Sequence, residues 1–210
     1  MTNILYVKCN MKDSTSSRTI AIGDHFINKY LEHNPDSKVT EVDLFASDIP
    51  GIDKDIFSAW NQLRQGKDFT ALSDAQKQKL SRIDAIIEQF IHADRYVFAF
   101  PMWNLSCPVE IKKYIDNIVI VGKTFKYTEK GPVGLLSGAG RKAMVVSTYG
   151  GFHLGKNDDF CTPYVASLLK FLGIEDVATL VADGLDALPE KTATFMKNAM
   201  DKAEKIAGEF

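Results

Sequence analysis

The segment RYVFAFPMWNLSCP, residues 95–108, constrains the fold of this chain more than any other part of it. Residues 97–100 form a short, nearly continuous apolar run, which is typical of a parallel strand covered on both faces. Pro101 ends the pairing because it has no N–H to donate to a neighbouring strand. The next residues then run along the carboxyl edge of a sheet, where Met102 and Trp103 offer apolar walls to a flat ligand and the backbone offers hydrogen bonds. An ordinary strand-to-helix loop with a core tryptophan explains this segment, taken alone, equally well.

The rest of the chain alternates between predicted strands and predicted helices, without an internal linker. Strands are predicted at residues 4–8, 39–43, 95–100, 142–147 and 176–181. Helices are predicted at residues 20–31, 56–63, 73–90, 109–119 and 164–172, and a C-terminal helix carries a packing stripe of Ala193, Met196, Met200, Ala203 and Ala207. Residues 124–135 resemble a hairpin or a wide loop. The pattern predicts one α/β domain over residues 1–210, with a doubly wound five-stranded parallel sheet covered by helices on both faces.

The composition excludes several classes of protein. With 210 residues, of which 45% are hydrophobic and 25% charged, the chain can bury a sizeable core. A net charge of -2 without a Lys/Arg-rich run gives no basis for nucleic-acid binding. No stretch approaches the ~20 apolar residues of a membrane span, and the N-terminus lacks a signal sequence. We therefore expect no nucleic-acid partner, no membrane association and no export.

The three cysteines, Cys9, Cys107 and Cys161, lie far apart in the sequence and form no CxxC motif. This spacing predicts neither a disulfide framework nor a zinc site, and it fits a protein of the reducing cytoplasm. Cys161 could be read as a nucleophile, but no base partner is identifiable in the sequence. We therefore expect an inert, buried thiol there and no metal site in the chain.

Polar residues follow the first predicted strand and lead directly into a helix. Residues 9–19 contain Asn10 and a run of hydroxyl side chains that ends in Ser17, Arg18 and Thr19. Unpaired N–H groups and the helix dipole at such a helix start favour a bound phosphate. Simple capping of the helix explains the same cluster.

A glycine pair follows the fourth predicted strand, in the sequence TYGGFH at residues 148–153. Gly150 and Gly151 would let the backbone approach a flat ligand closely and adopt positive φ, although a tight turn would use them equally well. A second glycine motif, GAGRKA at residues 138–143, matches GxGxxA but precedes a strand. A dinucleotide fingerprint follows a strand and opens a helix, so we interpret this motif as a turn.

These three loops carry more weight together than separately. In a parallel sheet they meet at the carboxyl edge. A phosphate site after the first strand, an apolar loop after the third and a glycine pair after the fourth suit the phosphate, the ring and the ring edge of one mononucleotide. Flavin mononucleotide (FMN) is the best candidate.

Four motifs together resemble one family. They are PMWN at residues 101–104, FKYTEKGPVGL at 125–135, YGGFH at 149–153 and TPYVASLLKFLGI at 162–174. The chain is similar over essentially its whole length to the FMN-dependent NADH azoreductases, also described as NADH:quinone oxidoreductases. The resemblance implies a flavodoxin-like fold, FMN as cofactor, and a homodimer with its active site at the subunit interface. It also implies ping-pong transfer of two electrons from NADH or NADPH to quinones or azo compounds.

The resemblance also implies the site residues, position by position. The FMN contacts would be Asn10, Ser17, Arg18, Thr19, Met102, Trp103, Asn104, Leu105, Thr148, Tyr149, Gly150 and Gly151. The chain departs from its relatives at Trp103, where tyrosine is common, and at Tyr149, where some members carry arginine. The second departure leaves the donor preference and the shape of the substrate pocket open.

Three further residues are predicted to act on the substrate side. His153 would orient the electron acceptor or donate to it, although a surface histidine after a turn is an equally good interpretation. Phe125 and Tyr127 would wall the acceptor site by stacking, or would simply pack in a hairpin. The alternative function is an electron carrier or a flavin-binding interaction protein. A carrier usually surrounds its cofactor with acidic residues, whereas a near-neutral chain with long aromatic loops favours a small-molecule pocket.

Overall fold

The computed structural model describes residues 1–210 and contains seven strands and six α-helices. The strands are β1 Asn3–Lys8, β2 Lys38–Asp43, β3 Arg95–Pro101, β4 Phe125–Thr128, β5 Gly131–Gly134, β6 Lys142–Thr148 and β7 Asp176–Ala182. The helices are α1 Arg18–His33, α2 Lys54–Arg64, α3 Asp74–Ile91, α4 Val109–Ile118, α5 Thr162–Phe171 and α6 Thr192–Glu209, with 3₁₀ turns at Phe69–Ala71 and Pro189–Lys191. Each of the five predicted strands is confirmed to within one residue at either end.

Five strands form one parallel sheet in the order β2-β1-β3-β6-β7. The chain moves outward from β1 to β2 and then returns to the other side of β1 to build β3, β6 and β7. The strand order therefore reverses between β1 and β3, and ligands of doubly wound sheets bind at such a point, outside the carboxyl ends of the strands. The predicted doubly wound five-stranded sheet is confirmed.

Both faces of the sheet are covered by helices. Alternate side chains of β1 point to opposite faces, so that Leu5 and Val7 join one core while Ile4 and Tyr6 join the other. The first core also takes in residues of α3, α4 and α5, and the second takes in residues of α1 and α6. This double coverage explains why the central strands are continuously apolar in sequence.

The long excursion between β2 and β3 has a small core of its own. Helices α2 and α3 pack together through six buried residues, Ile56, Ala59, Leu72, Leu80, Ile83 and Ile87. A capping box opens α3, since Gln76 N donates to Ser73 Oγ at 3.3 Å and Ser73 N donates to Gln76 Oε1 at 3.1 Å. This cap stops the chain from extending α3 backwards into the preceding loop.

The prediction that Ala193 of the C-terminal helix packs in the core is wrong. Ala193 is exposed, whereas Ala199, Ala203 and Ala207 are buried against α1. Ala193 lies in the first turn of α6, before the part of the helix that packs on α1 and the sheet. Small side chains at the three buried positions allow the two helices to approach closely.

Residues 125–134 form a two-stranded antiparallel hairpin, β4–β5, apart from the main sheet. The chain after the hairpin is tied to the end of α5, because Leu136 N donates to Leu172 O at 3.0 Å. Helix α5 starts near the carboxyl edge of the sheet and runs antiparallel to the strands, so its end lies at the amino edge. The hairpin therefore sits at the edge opposite the switch point. No helix of the chain combines the length and the apolarity that a membrane crossing requires.

Candidate functional site

The loops after β1, β3 and β6 meet at the switch point, as the sequence predicts. Met102 N donates to Thr148 O at 3.0 Å, which joins the β3 loop to the end of β6. The hydroxyls of Thr19 and Thr148 are hydrogen-bonded to each other, which joins the start of α1 to the same strand. The three predicted segments therefore line one edge of the sheet and are held together by direct hydrogen bonds.

The start of α1 combines a cap with free donors. Ser17 is buried and its Oγ accepts from Ile20 N at 3.2 Å, so its side chain serves as the helix cap. The N–H groups of Arg18 and Thr19 have no partner in the chain, and the first turn carries no acidic residue. The structure confirms the cap, and the capped helix start still presents two N–H groups and the positive end of its dipole, to which an anion would bind.

Two charged or polar side chains border this helix start. Asn10 closes a turn in the β1 loop, where its Oδ1 accepts from Lys12 N at 3.0 Å. Arg18 Nη1 lies 2.7 Å from Asp186 Oδ1, in the loop that follows β7. Asp186 was not predicted, since nothing in the sequence connects it to a position 168 residues earlier. The site thus has a fourth wall, supplied by the loop after β7.

The β3 loop has an unusual backbone. Asn104 and Leu105 lie at φ 49° and 68°, and they form the centre of a tight turn closed by two hydrogen bonds between Trp103 and Ser106, at 2.8 and 3.1 Å. Such positive φ values cost roughly 1–2 kcal/mol for a residue with a side chain. The N–H groups of Asn104 and Leu105 have no partner in the chain. A strained turn therefore presents two backbone donors at the carboxyl edge, where a flat polar ring would contact them.

Aromatic and apolar side chains stand beside this turn. Trp103 is 39% exposed, and its ring lies 6.3 Å from that of Phe45, which follows β2. Met102 is half-buried and packs against the core below the loop. Phe45 was missed by the sequence analysis, although its position just after a predicted strand places it at the same carboxyl edge. These side chains give the site an apolar wall on the β2 side.

Other side chains pack closely against the glycine pair, and the prediction that the pair adopts positive φ is wrong. Neither Gly150 nor Gly151 has positive φ. A Cβ on Gly150 would lie 2.6 Å from Asp186 Oδ2, and one on Gly151 would lie 2.6 Å from His153 Nε2, so a side chain at either position would displace the end of a neighbouring side chain. Their carbonyls accept hydrogen bonds from the β7 loop, whereas their N–H groups have no partner in the chain. The pair therefore supplies a second set of free backbone donors.

Tyr149 supports the glycine loop from below. Its side chain is fully buried, and its hydroxyl donates to Asp159 Oδ1 at 2.8 Å and accepts from Thr162, at the start of α5. Burial raises the pKa of Tyr149, so the hydroxyl stays protonated. Its backbone N–H and carbonyl are both occupied, by Ala182 O and Leu185 N. Tyr149 was predicted to contact the cofactor. In the structure its side chain anchors the loop, and the next two residues, Gly150 and Gly151, lie at the carboxyl edge of the sheet.

His153 lies directly beyond the glycine pair. Its Nδ1 is 3.0 Å from Asp158 Oδ2, and its backbone N–H donates to Asp183 Oδ1 at 3.0 Å. The side chain is one-quarter exposed and its Nε2 is turned toward Gly151. Asp158 therefore holds the ring, and Asp183 holds the backbone of the same residue.

Phe125 and Tyr127 are not brought to this edge within the chain. Phe125 is buried in the hairpin, with its ring 5.5 Å from Tyr127 and 5.2 Å from Phe171, at the end of α5. Tyr127 is 71% exposed. Both residues lie at the amino edge of the sheet, so they cannot contact the same ligand as the glycine loop of their own subunit. Phe125 therefore packs inside the chain, and Tyr127 lies on the exposed surface of the hairpin.

Cys161 is buried and its thiol lies beside Ser147 Oγ at 3.8 Å, with no histidine or carboxylate positioned as a base. Burial raises the pKa of the Cys161 thiol to about 12, which keeps it protonated and unreactive at neutral pH. The chain contains no group of three or more His, Cys, Asp or Glu side chains arranged to hold a metal ion.

The arrangement fits a flavin mononucleotide. The start of α1 offers free N–H groups for a doubly charged phosphate. The turn at Asn104 and Leu105 and the pair Gly150 and Gly151 offer donors at two sides of a polar ring, and Trp103 and Met102 supply apolar surface. A dinucleotide would need a second phosphate-binding fingerprint, and the GAGRKA motif is instead a turn before β6, with positive φ at Gly138 and Gly140. Fold and site define a doubly wound mononucleotide-binding protein.

Comparison with known proteins gives the family. The family described as having a flavodoxin-like fold matches residues 2–207, and the chain belongs to it. The FMN-dependent NADH:quinone oxidoreductase of Trichlorobacter lovleyi is 44% identical over 210 residues, which covers 100% of both chains. The protein of the same name from Geobacillus kaustophilus is 41% identical over 213 residues, again over 100% of both. The crystal structure of an FMN-dependent NADH-azoreductase from Bacillus anthracis in complex with FMN superposes with a TM-score of 0.92 at 31% identity, covering 100% of this chain and 99% of that one.

Proposed function

We propose that this protein is an FMN-dependent oxidoreductase that transfers two electrons from NADH or NADPH to quinones and to azo compounds by a ping-pong mechanism. The observation that carries the proposal is the convergence of three sets of unpaired backbone donors at one carboxyl edge, at the start of α1, at residues 104–105 and at residues 150–151. The names of relatives that match the whole chain support the same activity. Residues 1–210 act as one domain in this proposal.

The chain's own groups bind and orient the cofactor. The N–H groups of Arg18 and Thr19 hold the phosphate, and Asn10 borders it. The free N–H groups of the β3 loop and of Gly150 and Gly151 hold the polar edge of the ring. Those of Gly150 and Gly151 also stabilise negative charge that develops there. When bound, FMN accepts a hydride from the nicotinamide and passes an electron pair to the acceptor.

The net reactions balance with a proton from solvent. Quinone reduction consumes NADH, one proton and the quinone, and it yields NAD⁺ and the hydroquinone. Cleavage of an azo bond consumes two NADH and two protons in two cycles and yields two amines. Each cycle thus delivers one proton to the acceptor, and in this proposal His153, which lies beside the glycine loop, orients the acceptor for it.

The proposal is tested by the spectrum and the turnover of the purified protein. We expect a yellow protein with one noncovalently bound FMN per chain, which oxidises NADH or NADPH rapidly only when a quinone is present. A colourless protein that leaves the fluorescence of added FMN unquenched would contradict it. Bound flavin that accepts electrons only from a separate reductase would favour the electron carrier instead.

We also propose a homodimer in which the hairpin of one subunit completes the site of the other. The hairpin carries the exposed Tyr127 next to Phe125 but lies at the edge opposite its own site. In a two-fold dimer, both subunits contribute the same surfaces, so two equivalent sites result. Phe125 and Tyr127 would then wall the acceptor pocket of the partner subunit.

Subunit complementation tests the shared site. Gly150→Val damages the cofactor side of a site, and Tyr127→Ser damages the hairpin side. In a mixed dimer, one site carries both lesions and the other carries neither, so we expect co-expression of the two inactive variants to restore activity. Light scattering that reports an active monomer at micromolar concentration, or mixed variants that stay inactive, would contradict the proposal.

The three free cysteines support a cytoplasmic location, which fractionation of the source cells tests.

A further inference from the structure

The ring of His153 is held by one carboxylate, that of Asp158. The distance from His153 Nδ1 to Asp158 Oδ2 is 3.0 Å. The other oxygen of the same carboxylate, Oδ1, is buried and has no hydrogen-bond partner. A half-buried carboxylate with one unpartnered oxygen is costly unless its remaining contact is strong, and an ionised acceptor bonded to an imidazole N–H is such a contact.

The geometry points to Asp158 as a positioning residue for proton delivery to the electron acceptor, an inference that rests on the proposed function. An ionised carboxylate can only accept, so the single N–H proton of the neutral imidazole stands on His153 Nδ1. Nε2 then faces the glycine loop, where a Cβ on Gly151 would lie 2.6 Å from it. Asp158 thus fixes both the tautomer and the direction of the ring, while Nε2 stays available to hold a proton and release it.

Two carboxylates of the β7 loop lie near His153. Asp183 accepts from the backbone N–H of His153 at 3.0 Å and of Leu154 at 3.3 Å. Asp186, from the same β7 loop, faces the neighbouring Gly150. Arg18 is paired to Asp186, and Lys156 donates its backbone N–H to His153 O at 3.0 Å, so charges of both signs lie near this side of the glycine loop.

In this step the acceptor would gain the hydride that NADH supplies through the bound flavin, and the Nε2–H bond of the His153 imidazolium would break as a new O–H or N–H bond forms on the acceptor. His153 is left neutral with its proton on Nδ1, still bonded to the Asp158 carboxylate. Water then returns a proton to Nε2, and Asp158 stays ionised throughout. One proton from solvent is used for each hydride, as the net reaction requires.

The first test needs no cofactor. The apoprotein is labelled with ¹⁵N-histidine, and the ring nitrogens of its four histidines are observed by NMR. The signal of His153 is the one that disappears in His153→Gln. We expect the neutral ring of His153 to carry its proton on Nδ1. Asp158→Asn should move it to Nε2, because the new amide can donate to Nδ1. Asp183→Asn is the matched control, since Asp183 binds only backbone N–H groups, and it should leave the tautomer unchanged.

A wild-type ring protonated on Nε2, or a tautomer that Asp158→Asn leaves unchanged, overturns the inference. The wild-type measurement decides the matter even where the variant fails to fold. It also separates this inference from the proposed function, because a protein without quinone-dependent NADH oxidation still shows the tautomer.

The second test is stopped-flow kinetics of the two half-reactions in the flavin-loaded protein. Asp158→Asn should slow reoxidation by a quinone about 10²-fold, within the range of general acid catalysis, and leave reduction by NADH within about twofold of wild type. Adding Asp158→Asn to His153→Gln should cost nothing further, because Asp158 acts through the ring. Equal slowing of both half-reactions, or additive losses in the double variant, would show a structural role instead.

Discussion

The hydroxyl of Thr19, in the first turn of α1, is hydrogen-bonded to the hydroxyl of Thr148, the last residue of β6, although 129 positions separate them in the sequence. Both side chains are buried. Thr19 belongs to the helix start that offers N–H groups to an anion, and Thr148 precedes the glycine pair. This one bond sets the distance between the two halves of the mononucleotide site.

Breaking that bond from one side should weaken FMN binding. Thr148→Val keeps the shape of the side chain but leaves the buried Thr19 hydroxyl without its partner, which costs about 1–3 kcal/mol of folding free energy. The double variant Thr19→Val/Thr148→Val leaves no orphan hydroxyl, so it should cost less than the sum of the two single variants. Urea unfolding and FMN titration of all four proteins measure both effects. Additive losses would show that the two hydroxyls are not coupled.

A methyl group on Gly150 should loosen the cofactor site. In Gly150→Ala the Cβ would lie 2.6 Å from Asp186 Oδ2, so the end of this exposed side chain has to swing away from the loop. We expect FMN affinity to fall, by up to about tenfold. Gly51→Ala is the control, because the nearest atom to its Cβ is Lys113 Cε at 4.0 Å. Truncating Asp186 in the same chain should recover much of the loss, and a loss that persists would point to a different cause.

Neutralising Asp186 should strengthen FMN binding. Asp186→Asn keeps the size of the side chain, removes a negative charge near the start of α1 and frees Arg18 for the phosphate. The exposed pair is weak, so the expected gain is about two- to fivefold in affinity, and it should shrink as salt is added. Asp201→Asn breaks another surface ion pair, with Lys197 at 2.6 Å, far from the site and serves as the control. Weaker binding in Asp186→Asn would mean that the ion pair holds the site open.

Removing the imidazole of His153 should affect one half-reaction only. His153→Ala should keep FMN bound and be reduced by NADH at the normal rate, because hydride transfer from the nicotinamide needs no proton from this side chain. Reoxidation by a quinone should slow about 10²- to 10³-fold, by analogy with the loss of a donor to developing charge. Stopped-flow spectroscopy separates the two steps, with His33→Ala, at the exposed end of α1, as control. Equal changes in both steps, or none, would return His153 to an ordinary surface role.

Stability should fall in alkaline solution. Burial raises the pKa of Cys161 and of Tyr96 to about 12, and raises the pKa of Tyr149 as well. The unfolded chain loses these protons first, near pH 8.5 for cysteine and about pH 10 for tyrosine. The folded state then binds more protons than the unfolded one, so the free energy of unfolding is constant at neutral pH and decreases as pH rises through this window.

Cys161→Ala isolates one contribution to this alkaline loss. Without the thiol, the decrease between about pH 9 and pH 11 should be shallower by up to ~1.4 kcal/mol per pH unit. Urea unfolding at several pH values, compared with the wild type, measures the slope. Parallel slopes would show that the Cys161 thiol titrates alike in the folded and unfolded states.

The strands and the three site loops were predictable because they depend on local pattern. Residues 97–100 are apolar at every position, and the polar residues that end in Ser17 must either cap a helix or bind an anion. The structure confirms that Ser17 caps the helix, and it leaves the N–H groups of Arg18 and Thr19 unpaired, where an anion would bind. Parallel strands bring their carboxyl ends to one edge, so the meeting of the loops followed from the alternation of strands and helices.

Other features depend on contacts between distant segments. The positive φ of Leu105 could not be predicted, because a leucine does not indicate positive φ. The hydrogen bonds between Trp103 and Ser106, and the one that Phe160 N donates to Leu105 O, impose it. The glycine pair was predicted to adopt positive φ, yet neither residue does, and the side chains that lie against the pair, Asp186 and His153, come from other turns of the chain.

The sequence by itself thus determined which segments are strands and helices, and which loops carry donors for a mononucleotide, since both follow from neighbouring residues. Only the tertiary structure decided which groups meet across the edge. It turned the Tyr149 ring inward to Asp159, paired Arg18 with Asp186, and carried Phe125 to the opposite edge of the sheet. The physical reason is that close packing and hydrogen bonding between residues far apart in the chain depend on strand order and helix placement, which no local pattern encodes.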